Sequence, residues 1–435
     1  MNAELVAEVQ AWIADDPDPK TAAELSALLA AGSEEVLKKF FAGFLQFGTA
    51  GLRGPVGPGP SCMNRAVVGR TAAGISAYMK ERGMKRVVIG RDARYGSEDF
   101  TAESASIFAG AGFEVFVLPR PLPTPVLAFA TQELNCDVGV MVTASHNPPQ
   151  DNGYKVYIGP RADGIEYAAS QIINPTDHLI AAAIAAVKSL AQIPRAKTWT
   201  VLGEEVISEY VRRTALIAPN PGDLKIVYTA MHGVGTETAQ RVFNHAGFAT
   251  LILVDEQCTP DPDFPTVAFP NPEEPGAIDL ALKKARDFGA DLVIANDPDA
   301  DRCAAAVNDP KNGWRMLRGD ELGIIFGEWI ARSHTHGSFA NSIVSSSALS
   351  KIAANYAIDF KEVLTGFKWI SKIEDLAFGY EEAIGYAVDS DTVNDKDGIS
   401  AALLLAQIAS DLKSKGLTLL DLLDEVWARH GFHGT

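Results

Sequence analysis

A strand–turn–helix pattern begins at Arg86 and occurs three times, and nothing else in the chain restricts the fold as much. In the first copy, 87–89 is a short apolar run, Gly90-Arg-Asp-Ala-Arg94 a polar turn, and 97–111 an alanine-rich helix. A second strand over 112–118 leads through a Pro-rich loop and a helix to the continuously apolar run 138–142. The second copy has a strand at 226–228, the turn Met231-His-Gly-Val-Gly235, a helix to His245 and a strand over 246–254. It closes with a Pro-rich loop over 259–275, a helix over 277–288 and a strand over 291–295. A shorter third copy places strands at 342–344 and 360–364, then Thr365-Gly-Phe-Lys-Trp369, and ends in Phe378-Gly-Tyr-Glu-Glu-Ala-Ile-Gly385. The paired Gly112-Phe113 and Gly247-Phe248, and the matched Pro-rich loops, mark this as repetition.

Strands alternating with helices build βαβ units, whose sheets carry ligand loops at the C-terminal ends of their strands. The expectation is an α/β chain of three successive similar domains, with mixed, mostly parallel sheets around a shared cleft. The domains are expected at 1–205, 206–315 and 316–422, with 423–435 starting a linker toward a further domain. Ahead of the repeats, the first 46 residues read as helices. Val6, Val9 and Trp12-Ile13 share a face, the segment 15–19 breaks the pattern, and Ser33 is expected to cap a helix through Phe44. The next segment, Phe47-Gly-Thr-Ala-Gly-Leu-Arg-Gly54, is too glycine-rich to stay helical. Such a loop leaves backbone N–H groups able to approach a ligand, with Arg53 among them.

At 435 residues the chain exceeds one ordinary core, and its 47% hydrophobic content excludes a wholly disordered polymer. A formal charge of −17 without any basic stretch argues against a nucleic-acid partner. It leaves phosphorylated metabolites open, because a small site can gather Arg and Lys locally. Cys62, Cys136, Cys258 and Cys303 are scattered, with no CxxC pair, which fits reduced thiols better than disulfides or a zinc site. Neither a signal peptide nor an apolar run of spanning length is evident, so the expectation is a soluble, cytoplasmic protein with no membrane partner.

Two loops carry most of the chemistry. In Asn296-Asp-Pro-Asp-Ala-Asp-Arg302, three carboxylates sit at alternate positions. At an effective dielectric near 20, two carboxylates about 4 Å apart repel by about 4 kcal/mol, so a tight loop of three calls for a cation. Hard oxygen ligands suit Mg²⁺ or Ca²⁺. A calcium EF-hand is excluded, since its sixth position would be Arg302 and its twelfth Asn308. A solvated acidic turn remains the alternative.

The other loop is Thr143-Ala-Ser-His-Asn-Pro-Pro149. The strand 138–142 delivers Ser145 to a polar turn that Pro148 and Pro149 force. Ser145 is therefore a candidate nucleophile, although Ser-His-Asn also suits a cap or turn. His146 does not make an acyl-transfer triad, because no G-x-S-x-G elbow is present. A serine that carries phosphate beside a divalent cation fits better. Glu381 and Glu382 follow the third copy's last strand, where carboxylates can grip sugar hydroxyls. Lys396 lies between Asp395 and Asp397. Read alone, these three are exposed surface charge.

Four motifs in order, Thr143-Ala-Ser-His-Asn-Pro148, Asp297-Pro-Asp-Ala-Asp-Arg302, Gly379-Tyr-Glu-Glu-Ala-Ile-Gly385 and Asp395-Lys-Asp-Gly398, resemble the α-D-phosphohexomutase superfamily, in particular its phosphoglucomutase and phosphomannomutase members. The likeness covers nearly everything from Phe47 onward. Phe47-Gly-Thr-Ala-Gly-Leu-Arg-Gly54 and Thr365-Gly-Phe-Lys-Trp369 look most like the subgroup with phosphopentomutase-type enzymes.

The resemblance implies a phosphoserine at Ser145, with one Mg²⁺ held by its phosphate and by Asp297, Asp299 and Asp301. It implies phosphoryl transfer between C1 and C6, or C5, of a sugar phosphate through a bisphosphate, which also serves as activator. Arg302 would stabilise phosphoryl charge, Arg53 and His146 would hold reacting groups, and Lys155 and Lys396 would do acid and base work. Glu381 would grip sugar hydroxyls, with Thr365, Gly366 and Lys368 setting specificity. Two departures stand out: Ala383 replaces a serine common in the sugar loop, and a Ser-Gly-Thr-Glu-Pro-type phosphate-binding loop of a fourth domain is missing from this sequence. An open cleft would favour a second reading, a metal-dependent sugar phosphatase, and a third is an inactive truncated sugar-phosphate-binding fragment.

Overall fold

The structure, a computed structural model, describes residues 1–48, 51–159, 169–333 and 337–433. Thr49 and Ala50 of the glycine-rich loop, and the last two residues of the expected linker, lie outside the described residues. The chain forms two compact units, 1–121 with 130–203, and 122–129 with 204–435.

The first unit opens with α1 (Ala3–Asp15), α2 (Pro19–Ala30) and α3 (Glu34–Phe40), which bury Val9, Trp12, Leu25 and Leu37. The third of these stops before Phe44, and Ser33 makes no side-chain cap bond. Its backbone is not in the extended conformation that a cap needs. Next come β1 (Leu52–Pro55), α4 (Arg65–Glu81), β2 (Arg86–Arg91), α5 (Ser97–Gly110) and β3 (Glu114–Val117). They are followed by α6 (Thr124–Glu133), whose first turns belong to the second unit, and by β4 (Val138–Val142), β5 (Asp151–Ile158), β6 (Ser170–Gln171), α7 (Thr176–Ala185) and β7 (Thr200–Val201). The strands order as β1-β5-β4-β2-β3-β7, with β6 beside β5. Val138, Val140 and Val142 on β4 and Tyr154, Val156 and Ile158 on β5 enter one core with α4 and α5.

The second unit begins with α8 (Glu205–Ala215), β8 (Ile226–Thr229), α9 (Gly235–His245), β9 (Ile252–Leu253), α10 (Asp279–Phe288), β10 (Leu292–Asn296), β11 (Cys303–Asp309) and β12 (Gly313–Met316). Their sheet runs β12-β11-β10-β8-β9. It continues with α11 (Gly319–Ser333), β13 (Ser338–Ser342), α12 (Ala348–Asn355), β14 (Asp359–Val363), α13 (Phe367–Ile370), β15 (Leu376–Glu381), β16 (Gly385–Ala387), α14 (Gly398–Ser414) and α15 (Leu419–His430). The last sheet runs β14-β13-β15-β16.

The three sheets share one motif. In the orders β3-β2-β4-β5, β9-β8-β10-β11 and β14-β13-β15-β16, three parallel strands are followed by an antiparallel fourth. The repetition seen in the sequence is thus repetition of topology, with α/β layering in each copy. The sheets are mixed, as expected, but the individual antiparallel strands had not been assigned: β5 and β11 mix charged residues with apolar ones, and β16 is only three residues long. Two strands also differ from expectation. The first strand of the third copy is Ser338–Ser342, not 342–344, since Ile343 and Val344 project past its end and are more than half exposed. The strand expected over 246–254 narrows to Ile252–Leu253, after Gly247 turns the chain with φ +89°.

Candidate active site

The chemically loaded loops occupy one equivalent place, the turn between the third parallel strand and its antiparallel neighbour. Ser145 lies between β4 and β5, the aspartates between β10 and β11, and Glu382 between β15 and β16. Each turn holds a non-glycine residue in the left-handed region: Ser145 at φ +51°, Ala300 at +55° and Ile384 at +54°. Such backbone is unfavourable for L-residues and persists where its surroundings fix it, commonly at functional sites.

In the first unit, the buried Ser145 donates its backbone N–H to Thr143 Oγ1 at 2.9 Å, and its Oγ lies 3.3 Å from His146 Nδ1. Arg53 on β1 pairs with Gly153 on β5, and its guanidinium donates to Asn147 Oδ1 at 3.2 Å. Asn147 in turn donates to Asp151 Oδ2 at 2.8 Å. Lys155 is buried on β5 opposite Met141, on the face away from Val140 and Val156. This unit therefore gathers Ser145, His146 and Arg53 at one hairpin tip, with Lys155 on the strand that leaves it. A residue missed in the sequence joins them: Arg94, buried, donates to the carbonyls of Ser145 and Asn147. Only its place in a polar turn after β2 signalled it.

In the second unit, Asp297, Asp299 and Asp301 are all buried, and one oxygen from each lies within 4.8 Å of the others. Even at that spacing, each pair repels by about 3 kcal/mol at an effective dielectric near 20. Hydrogen bonds fix the loop around them. Thr124 Oγ1 donates to Asp299 Oδ2 at 2.6 Å, and the Arg302 N–H to Asp297 Oδ1 at 3.0 Å. Asn296 accepts from Tyr228 Oη at 2.7 Å and donates to the carbonyls of Arg302 and Gly398. Three hard, buried carboxylates fit a divalent cation, and fit little else at this cost.

The 395–398 segment packs directly on that loop. Lys396 Nζ lies 3.3 Å from Asp301 Oδ2 and 5.7 Å from the Phe367 ring. The Arg302 Nε is 3.9 Å from Asp301 Oδ1. Asp397 caps α14 through the N–H groups of Ile399 and Ser400 and accepts from Tyr210 Oη at 2.9 Å. Burial pushes its carboxyl up to about 6 against those stabilising bonds. Glu381 accepts the Gly366 N–H at 2.7 Å. Burial raises its carboxyl above the ordinary range, opposed by Lys396. Lys368 lies 5.8 Å from the Trp369 ring, and Thr365 is exposed. Glu382, set aside in the sequence as surface charge, accepts from Ser342 and Ser345 and braces the sugar-loop hairpin.

Three stretches match domains described as phosphoglucomutase/phosphomannomutase, alpha/beta/alpha: domain I over residues 45–184, domain II over 207–313 and domain III over 318–430. The chain belongs to the phosphoglucomutase/phosphomannomutase family of the α-D-phosphohexomutase superfamily. It is 47% identical to a probable phosphomannomutase of Haemophilus influenzae, over 85% of this chain and 76% of that relative. Mouse phosphopentomutase is 36% identical over the whole of this chain and 75% of its own length. A crystal structure of a putative phosphomannomutase from Thermus thermophilus superposes with a TM-score of 0.73 at 25% identity, covering 90% of this chain and 85% of that one. Membership of this family and the buried aspartate trio together suit a divalent-metal site.

Proposed function

We propose that this chain moves a phosphoryl group between C1 and C6, or C5, of a sugar phosphate, through phosphoserine at Ser145 and a sugar bisphosphate. It is a phosphosugar mutase, an intramolecular phosphotransferase of the phosphoglucomutase/phosphomannomutase type. The observation that carries the reading is the buried trio Asp297, Asp299 and Asp301, gathered within 4.8 Å and flanked by Arg302 and Lys396. Names such as phosphomannomutase and phosphopentomutase among the relatives support a hexose or pentose phosphate as substrate. A division into domains near residues 205 and 315, a cytoplasmic location and the absence of nucleic-acid or membrane partners belong to the same proposal.

In the first half-reaction, the bond between Ser145 Oγ and phosphorus breaks as a sugar hydroxyl oxygen bonds to that phosphorus. The hydroxyl's proton passes to a lysine, with Lys155 and Lys396 as the candidates. Ser145 Oγ regains a proton beside His146, whose Nδ1 is 3.3 Å away. A divalent cation, Mg²⁺ by its preference for hard oxygens, supplies positive charge against the phosphoryl oxygens when held by the three aspartates and by the phosphate on Ser145. Arg302 adds a second positive charge, and Arg53 orients the serine loop through Asn147. Glu381, already bonded to Gly366, offers a carboxylate to sugar hydroxyls, with Thr365 and Lys368 nearby in sequence setting which sugar is accepted. The bisphosphate then turns over and returns its other phosphoryl group to Ser145.

The test is incubation with glucose 1-phosphate or ribose 1-phosphate, Mg²⁺ and a trace of the matching bisphosphate. The 6-phosphate or 5-phosphate is expected. Release of inorganic phosphate alone would convert the reading to a phosphatase, and binding without exchange to a carrier.

A further inference from the structure

We infer that Arg94, at the end of the turn after β2, is the positioning residue that holds the Ser145 loop in its transfer-competent shape. Its side chain is 1% exposed, and its guanidinium donates to four carbonyl oxygens of one turn. One terminal nitrogen reaches Ser145 O at 2.7 Å and Asn147 O at 2.5 Å. The other reaches Pro148 O at 2.8 Å and Asp151 O at 3.1 Å. Four carbonyl dipoles converging on one point repel each other unless a cation with several donors lies there. The planar fork of arginine meets that need, and a lysine's three clustered N–H groups do not.

The guanidinium is itself aimed from behind. Asp92 Oδ2 lies 3.4 Å from Arg94 Nε, and Asp92 Oδ1 accepts the Arg94 N–H at 3.0 Å and Ser97 Oγ at 2.6 Å. Asn152 Nδ2, on the returning strand β5, donates to Ser97 Oγ at 3.0 Å. The Asp92 N–H donates to Val142 O, the last residue of β4. Both strands that flank the loop are thus tied to the same buried pair, and the carbonyl of Ser145 itself is gripped. This arrangement fixes the left-handed backbone at Ser145, and with it the direction of Oγ. Arg94 acts through that backbone.

The inference rests on the reading of Ser145 as phosphoryl carrier, so the test keeps the two apart. Unphosphorylated protein is mixed with glucose 1,6-bisphosphate, and phosphoprotein is followed by intact mass at successive quench times, giving a rate constant and a final amplitude. Arg94→Lys keeps the buried charge but loses the fork. We expect its rate constant to fall about 10²-fold with full final amplitude, the scale of a misplaced reacting group. Ser97→Ala, which loosens Asp92 and removes the Asn152 bond, is expected to slow the same step about threefold. A rate constant for Arg94→Lys within about twofold of the parent, or a lower amplitude at the parent's rate, overturns the inference, because a merely structural role changes the active fraction and not the rate. Should Arg94→Lys not fold, Ser97→Ala at the parent's rate overturns it. Ser145→Ala taking up phosphate as the parent does would instead overturn the reading of Ser145, and the role of Arg94 with it.

Discussion

Lys396 and Asp301 form a contact of 3.3 Å that ties the 395–398 segment to the metal-site loop. The lysine offsets one of three crowded carboxylates, so it competes for the charge that a divalent cation also neutralises. Lys396→Met should therefore bind Mn²⁺ more tightly, by about 1 kcal/mol or roughly fivefold, while losing turnover by about 10²-fold or more if the amine moves the sugar proton. An EPR titration of Mn²⁺ alongside kcat checks both signs. Weaker metal binding in the variant would show that Lys396 supports the cation instead of opposing it.

The aspartate trio has an energetic signature of its own. Asp299→Asn keeps an acceptor for Thr124 Oγ1 and removes one charge from a cluster within 4.8 Å. The variant should melt higher than the parent without metal, by about 1–3 kcal/mol of relieved repulsion. Saturating Mg²⁺ should raise the parent's Tm and leave the variant's nearly unmoved. A calorimetric scan of both, with and without Mg²⁺, decides it, and equal metal increments would contradict the site.

Gly398 starts α14 where a Cβ would stand 2.2 Å from Arg302 O and 2.7 Å from Asn296 Nδ2. Neither atom can yield without moving the metal-site loop. Gly398→Ala should cost about 1–3 kcal/mol of stability and weaken Mn²⁺ binding at least tenfold. Chemical denaturation and the same EPR titration check this, and a variant with normal metal affinity would show the loop to be more compliant than its packing suggests.

How much of this was legible in the sequence follows from the range of the forces involved. Val138–Val142 could be read because a strand buried on both faces is apolar throughout. The metal site could be read because three aspartates of one loop carry their own electrostatic argument. Ser338–Ser342 could not, since its buried residues include Asn341 and Ser342, whose partners Ser346, Ser345 and Glu382 lie farther along the chain. Arg94 gave no local pattern, because its partners are carbonyls more than fifty residues away. The Tyr210–Asp397 bond, 187 residues apart in sequence, is beyond any periodicity argument.

Glu328 on α11 contributes to the pH response of the second unit. Burial alone would raise its carboxyl, but the Tyr356 hydroxyl and the Arg332 and Arg429 guanidiniums outweigh that and hold it below its ordinary 4.5. The folded state therefore binds a proton less readily than the unfolded one. The stabilisation is complete above 4.5 and is lost as pH falls below that value. Glu328→Gln should cost about 2 kcal/mol at pH 7, and the gap to the parent should shrink in acid. Urea unfolding between pH 7 and 3 measures it, and a gap that widens in acid would reverse the assignment.

The central claim is that the phosphoryl group on Ser145 and the carboxylates of Asp297, Asp299 and Asp301 share one cation. Pulsed ENDOR on the phosphoprotein loaded with one equivalent of Mn²⁺ tests it directly, since a phosphate in the metal's inner sphere couples its ³¹P nucleus to the electron spin. The account predicts a clear ³¹P coupling that vanishes in Ser145→Ala under the same loading. Mn²⁺ bound at the aspartates of a fully phosphorylated protein without any ³¹P coupling would contradict it.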